Sequence, residues 1–465
     1  MKGPTYRMKH LRMILAALLL PALLLSLVCC TPGQDPGTQP EAPATDAPTE
    51  APTEPATEPP KADREGWALE GVPAYQGGYL GRKVYSCGGG LTENEKISKM
   101  QIAGDTTAAE FADYRTLCER CGFVCETWNE IEKNRYACYS NGTSRVWAYY
   151  IAYLSQATFI LDPASCALSD FCAEPAPGAS REPVLYAYGF NSTGQLILVH
   201  NSDNSWFIND GATSSIDSEK LYAFLREKSG LAAGEKLVIS LWYVTHGHSD
   251  HFPGVANMIR KHPSEIDLQR VMWNFPDPSV ISAGSSSHDA QLSMQKMVQT
   301  NYPDVKYLKC HTGMDVKVGD VELLFLITHE DNMTKFVSGE FDDYNNTSSV
   351  AMLYFGGKAM FLPGDCKSGT IDGNTFLCRA YSAKTFGCSL MQVSHHGYNK
   401  INSLYDSLYP TLEYALFENT YAEAVARGTG SGPDVYAKMG AERSLFSDKT
   451  YAIRVVDGKL VAEQE

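Results

Sequence analysis

The stretch that decides the reading is "LWYVTHGHSDHFPGV", residues 241–255. Leu241 to Val244 end a longer apolar run, "KLVISLWYV". An unbroken apolar run of that length is the pattern of a strand buried on both faces. Directly after it stand His246, His248, Asp250 and His251, four metal-ligating side chains within six positions. Where such a strand ends, the next loop presents its side chains at the rim of a pocket. Histidines two residues apart can converge on one ion in a turning loop, while Asp250 and His251 turn toward a second. Gly247 and Gly254 permit the tight path that crowded ligands need. Imidazole and carboxylate together suit Zn²⁺, and also Mn or Fe. One histidine here would be an ordinary loop residue; four ligands at this spacing behind a strand are a metal-site pattern.

Working outward, histidine divides the chain. Of eleven histidines, His10 lies near the start and the other ten lie at His200 or beyond. The histidine chemistry therefore belongs to the second part. From residue 183 on, short strand patterns ("VLYAYGF", "GQLILVH", "SWFINDGA", "VELLFLIT", "SSVAMLYF", "KAMFLPGD", "LMQVSHHG") alternate with helix-like segments ("DSEKLYAFLREKSG", "VANMIRKH", "AQLSMQKMVQTNY"). Two runs of strands with interspersed helices predict two packed sheets with helices outside. Residues 66–180 read as a small α+β domain of unassigned role, with a helix over "TTAAEFADYRTLCERCGF" capped at Thr106. Its dense Tyr and Trp residues read as a packed aromatic core sooner than as a ligand surface.

The N-terminal region has a different character. "MKGPTYRMKHLRM" carries four bases and no acid, and "ILAALLLPALLLSLV" is continuously apolar. That is the anatomy of an export signal, shorter than a membrane span. It closes on "LVCC", which resembles a lipobox and makes Cys30 the expected lipidated residue of a signal spanning 1–30. Residues 31–65 form an imperfect Ala-Pro-Thr-Glu repeat that lacks the apolar surface to fold, and so read as a disordered tether. The expected location is extracytoplasmic, anchored to a bacterial membrane through lipid.

The chain has 465 residues, 44% hydrophobic and 20% charged, with a net charge of −15. Almost all of that charge falls beyond residue 65, which disfavours an extended nucleic-acid duplex as partner. Thirteen cysteines are too few for a disulfide-built scaffold of this length. Cys118, Cys121 and Cys125 in "LCERCGFVC" have no second Cys or His pair at zinc-finger spacing and read as buried thiols or one local disulfide. "ARGTGSGPD", residues 426–434, shares only its glycine content with phosphate-cradling loops and reads as a flexible turn.

His-x-His-x-Asp-His at 246–251 resembles the signature of the metallo-β-lactamase superfamily. The resemblance runs over residues 183–465. It implies an α/β fold, the αββα sandwich of that superfamily, preceded here by the small N-terminal α+β domain. "KAMFLPGD" is similar to the strand that ends in the metal-bridging aspartate, which implies Asp365. "LMQVSHHG" is similar to the strand that delivers the last histidine, and "NDGA" to the early Asp-Gly that braces the site, which implies Asp210. Carried over, two divalent ions, Zn²⁺ foremost, would be held by His246 and His248 on one side and by Asp250, His251 and a histidine of the 395–396 pair on the other, with Asp365 bridging. The glycine after the pair favours His396, leaving His395 toward the substrate. His329 in "LITHEDN" is the choice for a third ligand to the first ion, with His311 in "KCHTG" as the other histidine in range.

"YNNTSSVAMLYFGGKAMFLPGD" and the later "HHG" resemble the subgroup containing the hydrolase domain of bacterial DNA-uptake channel proteins and phosphorylcholine esterases. In that subgroup an asparagine near the strand start, Asn346 here, sits at the metal edge. Tyr398 stands where the subgroup has serine. The implied function is hydrolysis of a small or polymer-borne phosphodiester by a metal-activated water, with Asp250 orienting it and His395 or Tyr398 serving the leaving group. A lactone, thioester or β-lactam hydrolase is the alternative within the fold. A non-catalytic lipoprotein that uses metal only for stability is the alternative outside it.

Overall fold

The apolar run before the histidines is a seven-residue strand, Leu237–Tyr243, buried along nearly its whole length. It has parallel neighbours on both edges, Trp206–Asp210 on one and Arg270–Met272 and Ile266–Leu268 on the other. A strand so placed has no solvent face, which is why its sequence does not alternate. The structure is a computed structural model that describes residues 63–465 except 89–90, 92–97, 163–165, 279 and 282–284. The expected signal at 1–30, its Cys30 and most of the 31–65 tether lie outside the described residues.

Leu237–Tyr243 belongs to a nine-stranded sheet. Its neighbours show how the two faces divide. Leu196 and Leu198 point into one cluster with Leu221, Leu225, Val255, Met258 and Val298 of the covering helices. Ile197 and Val199 point into the other, with Phe325, Leu353 and Met360 of a seven-stranded sheet. The period of two along a strand thus sends alternate residues to helix and to sheet. The second sheet has its own outer helices, Ser403–Leu408 and Gly432–Met439, whose Leu404, Leu408, Val435 and Met439 join the same core. The order is helix, sheet, sheet, helix: the αββα sandwich that the resemblance implied.

Residues 79–161 build a third, fully antiparallel sheet of six strands. One face packs on the helix Ala108–Arg120 through Phe111, Tyr114 and Cys118. Thr107, one residue beyond the expected Thr106, caps this helix, because Glu110 reaches back to complete a capping box. The opposite face carries Tyr136, Trp147 and Tyr149 into the core of the sandwich. Trp147 Nε1 donates to Thr312 O at 3.0 Å, and the Tyr136 and Tyr381 hydroxyls meet at 2.8 Å. Gly313 lets Tyr136 approach: a Cβ there would lie 1.8 Å from the ring. The aromatics are core, each worth about 1.5–3 kcal/mol of burial. No disulfide forms among the described residues, and Cys118 is a buried thiol.

Candidate metal centre

The site lies where strands of both sheets end. Tyr243 closes its strand, and Thr245 and His246 follow, still buried. The seven-stranded sheet contributes Lys358–Leu362, which runs into Asp365, and Leu390–Gln392, which runs into the 395–396 histidines. Two strained turns deliver the side chains. His395 and His396 both have positive φ, 50° and 56°, and Asp210 has φ 59°. Non-glycine residues adopt that region at a cost of about 1–3 kcal/mol each, and such strain concentrates at functional sites.

Two groups of ligand atoms result. His246, His248 and Asp365 form one; Asp250, His251, Asp365 and His396 form the other. Asp365 is common to both. Its Oδ2 lies 3.1 Å from His251 Nε2, 3.3 Å from His396 Nε2 and 3.9 Å from His246 Nε2. Asp250 Oδ2 is 3.4 Å from His396 Nε2. His251 Nε2, His396 Nε2 and Asp365 Oδ1 are buried without a hydrogen-bond partner. Orphaned buried atoms of this kind carry a full desolvation cost unless something else binds them. The inward-facing lone pairs of four imidazoles and two carboxylates are what a pair of divalent cations requires.

Electrostatics agree. Burial opposes a charge on His251, yet Asp365, Asp210 and Asp250 outweigh it and raise its pKa well above the ordinary value. Burial likewise opposes a charge on His396, but Asp365 and Asp250 raise it to about 10. Burial also resists ionisation of Asp365, and His251 and His396 overcome it, holding this carboxyl well below its usual range. The carboxylates give the centre a demand for positive charge, which a bound metal would meet. Burial keeps His246 neutral, ready to donate a lone pair.

A surrounding layer orients these ligands. Asp210 takes the predicted bracing position: Oδ2 accepts from His251 Nδ1 at 2.8 Å and from Thr245 Oγ1 at 2.9 Å, and Oδ1 accepts from Thr245 N at 2.7 Å. His396 Nδ1 donates to Glu418 O at 3.1 Å. These bonds leave the Nε2 atoms of His251 and His396 to face inward. Thr245 and Glu418 were not legible as site residues, since a threonine and a backbone carbonyl carry no ligand signature.

Two sequence expectations need correction. His329 does not reach the cluster. The strand Val321–Ile327 ends in a tight turn, His329–Asn332, capped by Thr328 with Asp331. This turn seats His329 beside Glu330, Lys309 and His311, where burial pushes its pKa down to about 4. His311 lies in that same neighbourhood, 2.9 Å from Glu330. The asparagine at the metal edge is Asn345, not Asn346. Asn345 Nδ2 lies 3.2 Å from His395 Nε2, and its side chain also meets His248. Asn346 points the other way, its Oδ1 accepting from Thr370 Oγ1 at 2.7 Å. Adjacent residues of the 3₁₀ turn Tyr344–Thr347 point in different directions, so a motif read one position out selects the wrong amide.

The remaining candidates flank the opening. His395 is about a quarter exposed, and its Nε2 lies 3.9 Å from Asp365. His395 Nδ1 donates to Asn399 Oδ1 at 3.0 Å. The Tyr398 hydroxyl is directed to Thr193 Oγ1 at 3.3 Å, with its ring edge-on to His395 at 5.6 Å.

No family model and no curated protein matches the chain. Solved structures show similarity at low identity. The metallo-β-lactamase fold protein YhfI from Bacillus subtilis is 12% identical, with 45% of this chain and 70% of that one covered, at a TM-score of 0.28. Zn²⁺-bound PqqB from Methylobacterium extorquens is 10% identical, covering 57% of this chain and 97% of that one, with TM-score 0.34. CmlA, a diiron β-hydroxylase from Streptomyces venezuelae, is 12% identical over 59% of this chain and 54% of its own, with TM-score 0.35.

Proposed function

We propose that this chain is a dinuclear metallohydrolase that cleaves phosphodiesters, tethered outside the cytoplasm by lipid on Cys30. One observation carries the reading: Asp365 is shared between two ligand groups, and its Oδ1 together with His251 Nε2 and His396 Nε2 is buried without a hydrogen-bond partner. His246 and His248 with Asp365 would hold one ion; Asp250, His251 and His396 with Asp365 would hold the other. When bound, such a pair acidifies a water near neutral pH and polarises the phosphoryl oxygen.

The chain's own groups do the rest. Asp250, about a third exposed, reaches the opening and would orient the attacking water. His395 Nδ1 donates to Asn399 Oδ1, which leaves the Nε2 lone pair as the atom that would take up a proton and pass it to the leaving oxygen once the Asn345 amide yields. Asn345 Nδ2 donates to that Nε2 at 3.2 Å and fixes the ring. The phosphodiester choice is supported by the sequence resemblance around Gly364-Asp365 and His395-His396-Gly397, together with a half-open histidine beside the bridging carboxylate.

The test is metal analysis of the purified chain beside hydrolysis of bis-p-nitrophenyl phosphate, p-nitrophenyl phosphorylcholine and nitrocefin. We expect close to two ions per chain and turnover of a phosphodiester. Turnover of nitrocefin alone would replace the phosphodiester reading with its alternative within the fold. Metal without turnover of any of them would favour a binding role.

A further inference from the structure

We propose that Arg427, stacked on Tyr398 at the mouth of the metal centre, is the side chain that grips the non-bridging oxygens of an anionic phosphoryl substrate. This rests on the phosphodiester reading above and names the residue that would select for charge.

The glycine-rich segment at 426–434 reads from sequence as a flexible turn. It is instead held against the histidine turn. Gly430 has φ +74°, and a Cβ on it would lie 2.2 Å from Gly397 O. A Cβ on Gly432 would lie 1.8 Å from Ala424 O. Ser431 N donates to Asn399 O at 2.7 Å, and Ile401 N donates to Ser431 Oγ at 2.6 Å. Glycine is required here because two backbones touch, and one of them carries His395 and His396.

Arg427 sits at the end of the widened helical turn Ala422–Ala426 that enters this segment. π-type turns of this kind concentrate at functional sites. The Arg427 backbone is anchored, its N donating to Ala422 O at 3.0 Å. Its guanidinium lies 5.0 Å from the centre of the Tyr398 ring. That ring in turn stands 5.6 Å from His395 and 6.2 Å from His396. Thr193 tethers the Tyr398 hydroxyl, so the ring is a fixed platform.

The neighbouring cations are engaged. Lys367 pairs with Asp343, and Lys400 with Asp434 at 2.5 Å. Arg427 has a looser contact, 3.7 Å to Glu423, with both side chains more than half exposed. Water competes with such a pair and a phosphate can displace it. On a chain of net charge −15, an anionic substrate needs a local cation, and guanidinium meets phosphate oxygens two at a time.

The experiment uses the full metal-loaded chain and its Arg427→Ala and Arg427→Lys variants. Steady-state kinetics compare bis-p-nitrophenyl phosphate with the neutral ester p-nitrophenyl acetate, and calorimetry titrates inorganic phosphate. For Arg427→Ala we expect KM for the diester and Kd for phosphate to rise about tenfold, with kcat falling much less. The diester-to-ester ratio of kcat/KM falls by about the same factor, and Arg427→Lys recovers part of it. The inference is overturned if phosphate affinity and diester KM stay within about twofold, or if ester and diester suffer equally, as a structural role would produce. A wild-type chain that does not bind millimolar phosphate overturns it too. A wild type inert toward diesters whose phosphate binding still depends on Arg427 would refute the reaction and keep the anion site.

Discussion

The sandwich buries two histidine-bearing polar clusters, each at ends of strands from both sheets, and their polar atoms are arranged differently. In one, His246, His251, His396 and Asp365 aim their free atoms at one another and leave several unpartnered. In the other, acids and bases pair off. His311 Nδ1 meets Glu330 Oε2 at 2.9 Å and its Nε2 meets Asp162 Oδ2 at 3.3 Å; Ser98 Oγ donates to Asp162 Oδ1 at 3.0 Å. Lys309 donates to Cys87 O and lies 3.9 Å from Glu330. The second cluster joins the strands around residue 310 to the N-terminal sheet; it too leaves buried atoms unpartnered, Glu330 Oε1 and both ring nitrogens of His329, but among the described residues these do not gather into a group of three ligand atoms. Histidine and carboxylate in a buried group do not by themselves mean metal; what decides is whether their lone pairs converge on one point or are consumed pairwise.

Four measurements would break or sharpen that contrast. The largest effect is expected for Asp365→Ala, which removes the shared ligand. Hydrolysis should fall by about 10³-fold or more, with bound metal dropping below one ion per chain by elemental analysis. Unchanged metal content would mean that the two groups do not share this carboxylate. Next comes Glu330→Gln. It removes one of the two carboxylates that flank His311 and leaves Asp162 at 3.3 Å, so urea unfolding should show a loss of about 1–3 kcal/mol while metal content stays at the wild-type value. A loss of metal instead would erase the distinction between the clusters.

Asp210→Asn should be milder, since it touches the ligands only through His251 and Thr245. A weakening of metal affinity by about 10–100-fold, read by competition with a chromophoric chelator, is expected. The smallest effect is in pH dependence. Burial opposes the charge on His311, but Glu330 and Asp162 raise its pKa to about 9; burial also opposes Glu330, but His311 lowers it to about 2. A histidine raised on folding stabilises fully below about pH 6.5 and loses that contribution as pH climbs through 9. A carboxylate lowered on folding stabilises fully above about pH 4.5 and loses it as pH falls toward 2. Thermal unfolding should therefore show a lower Tm above pH 6.5, reflecting a loss of about 1–3 kcal/mol overall. His311→Asn should flatten that slope; a wild-type slope in the variant would show that other groups set it.

Much of this architecture is legible in the residues themselves. The buried strand before His246 announces itself because a strand without a solvent face has no reason to alternate. The cluster at 246–251 is legible because four ligands on one loop need only local geometry to meet. Asp365 and His396 can be named only through resemblance, since nothing in spacing says that residues more than a hundred positions apart will touch. The errors share one cause. His329, Asn346 and the 426–434 glycines are assigned from residue type, whereas their roles depend on direction: the turn that carries His329 away, the rotation that presents Asn345, and the backbone contact that makes Gly430 and Gly432 obligatory.

The sequence alone thus determined the layered α/β architecture and the chemical identity of the first four candidate ligands, because hydrophobic period and short-range spacing are properties of a single segment. Only the tertiary structure decided which histidines converge and which pair with acids, which amide lines the opening, and that Arg427 stands over Tyr398. Those outcomes depend on where separate strands end relative to one another, and that is set by the packing of two sheets, which no one segment encodes.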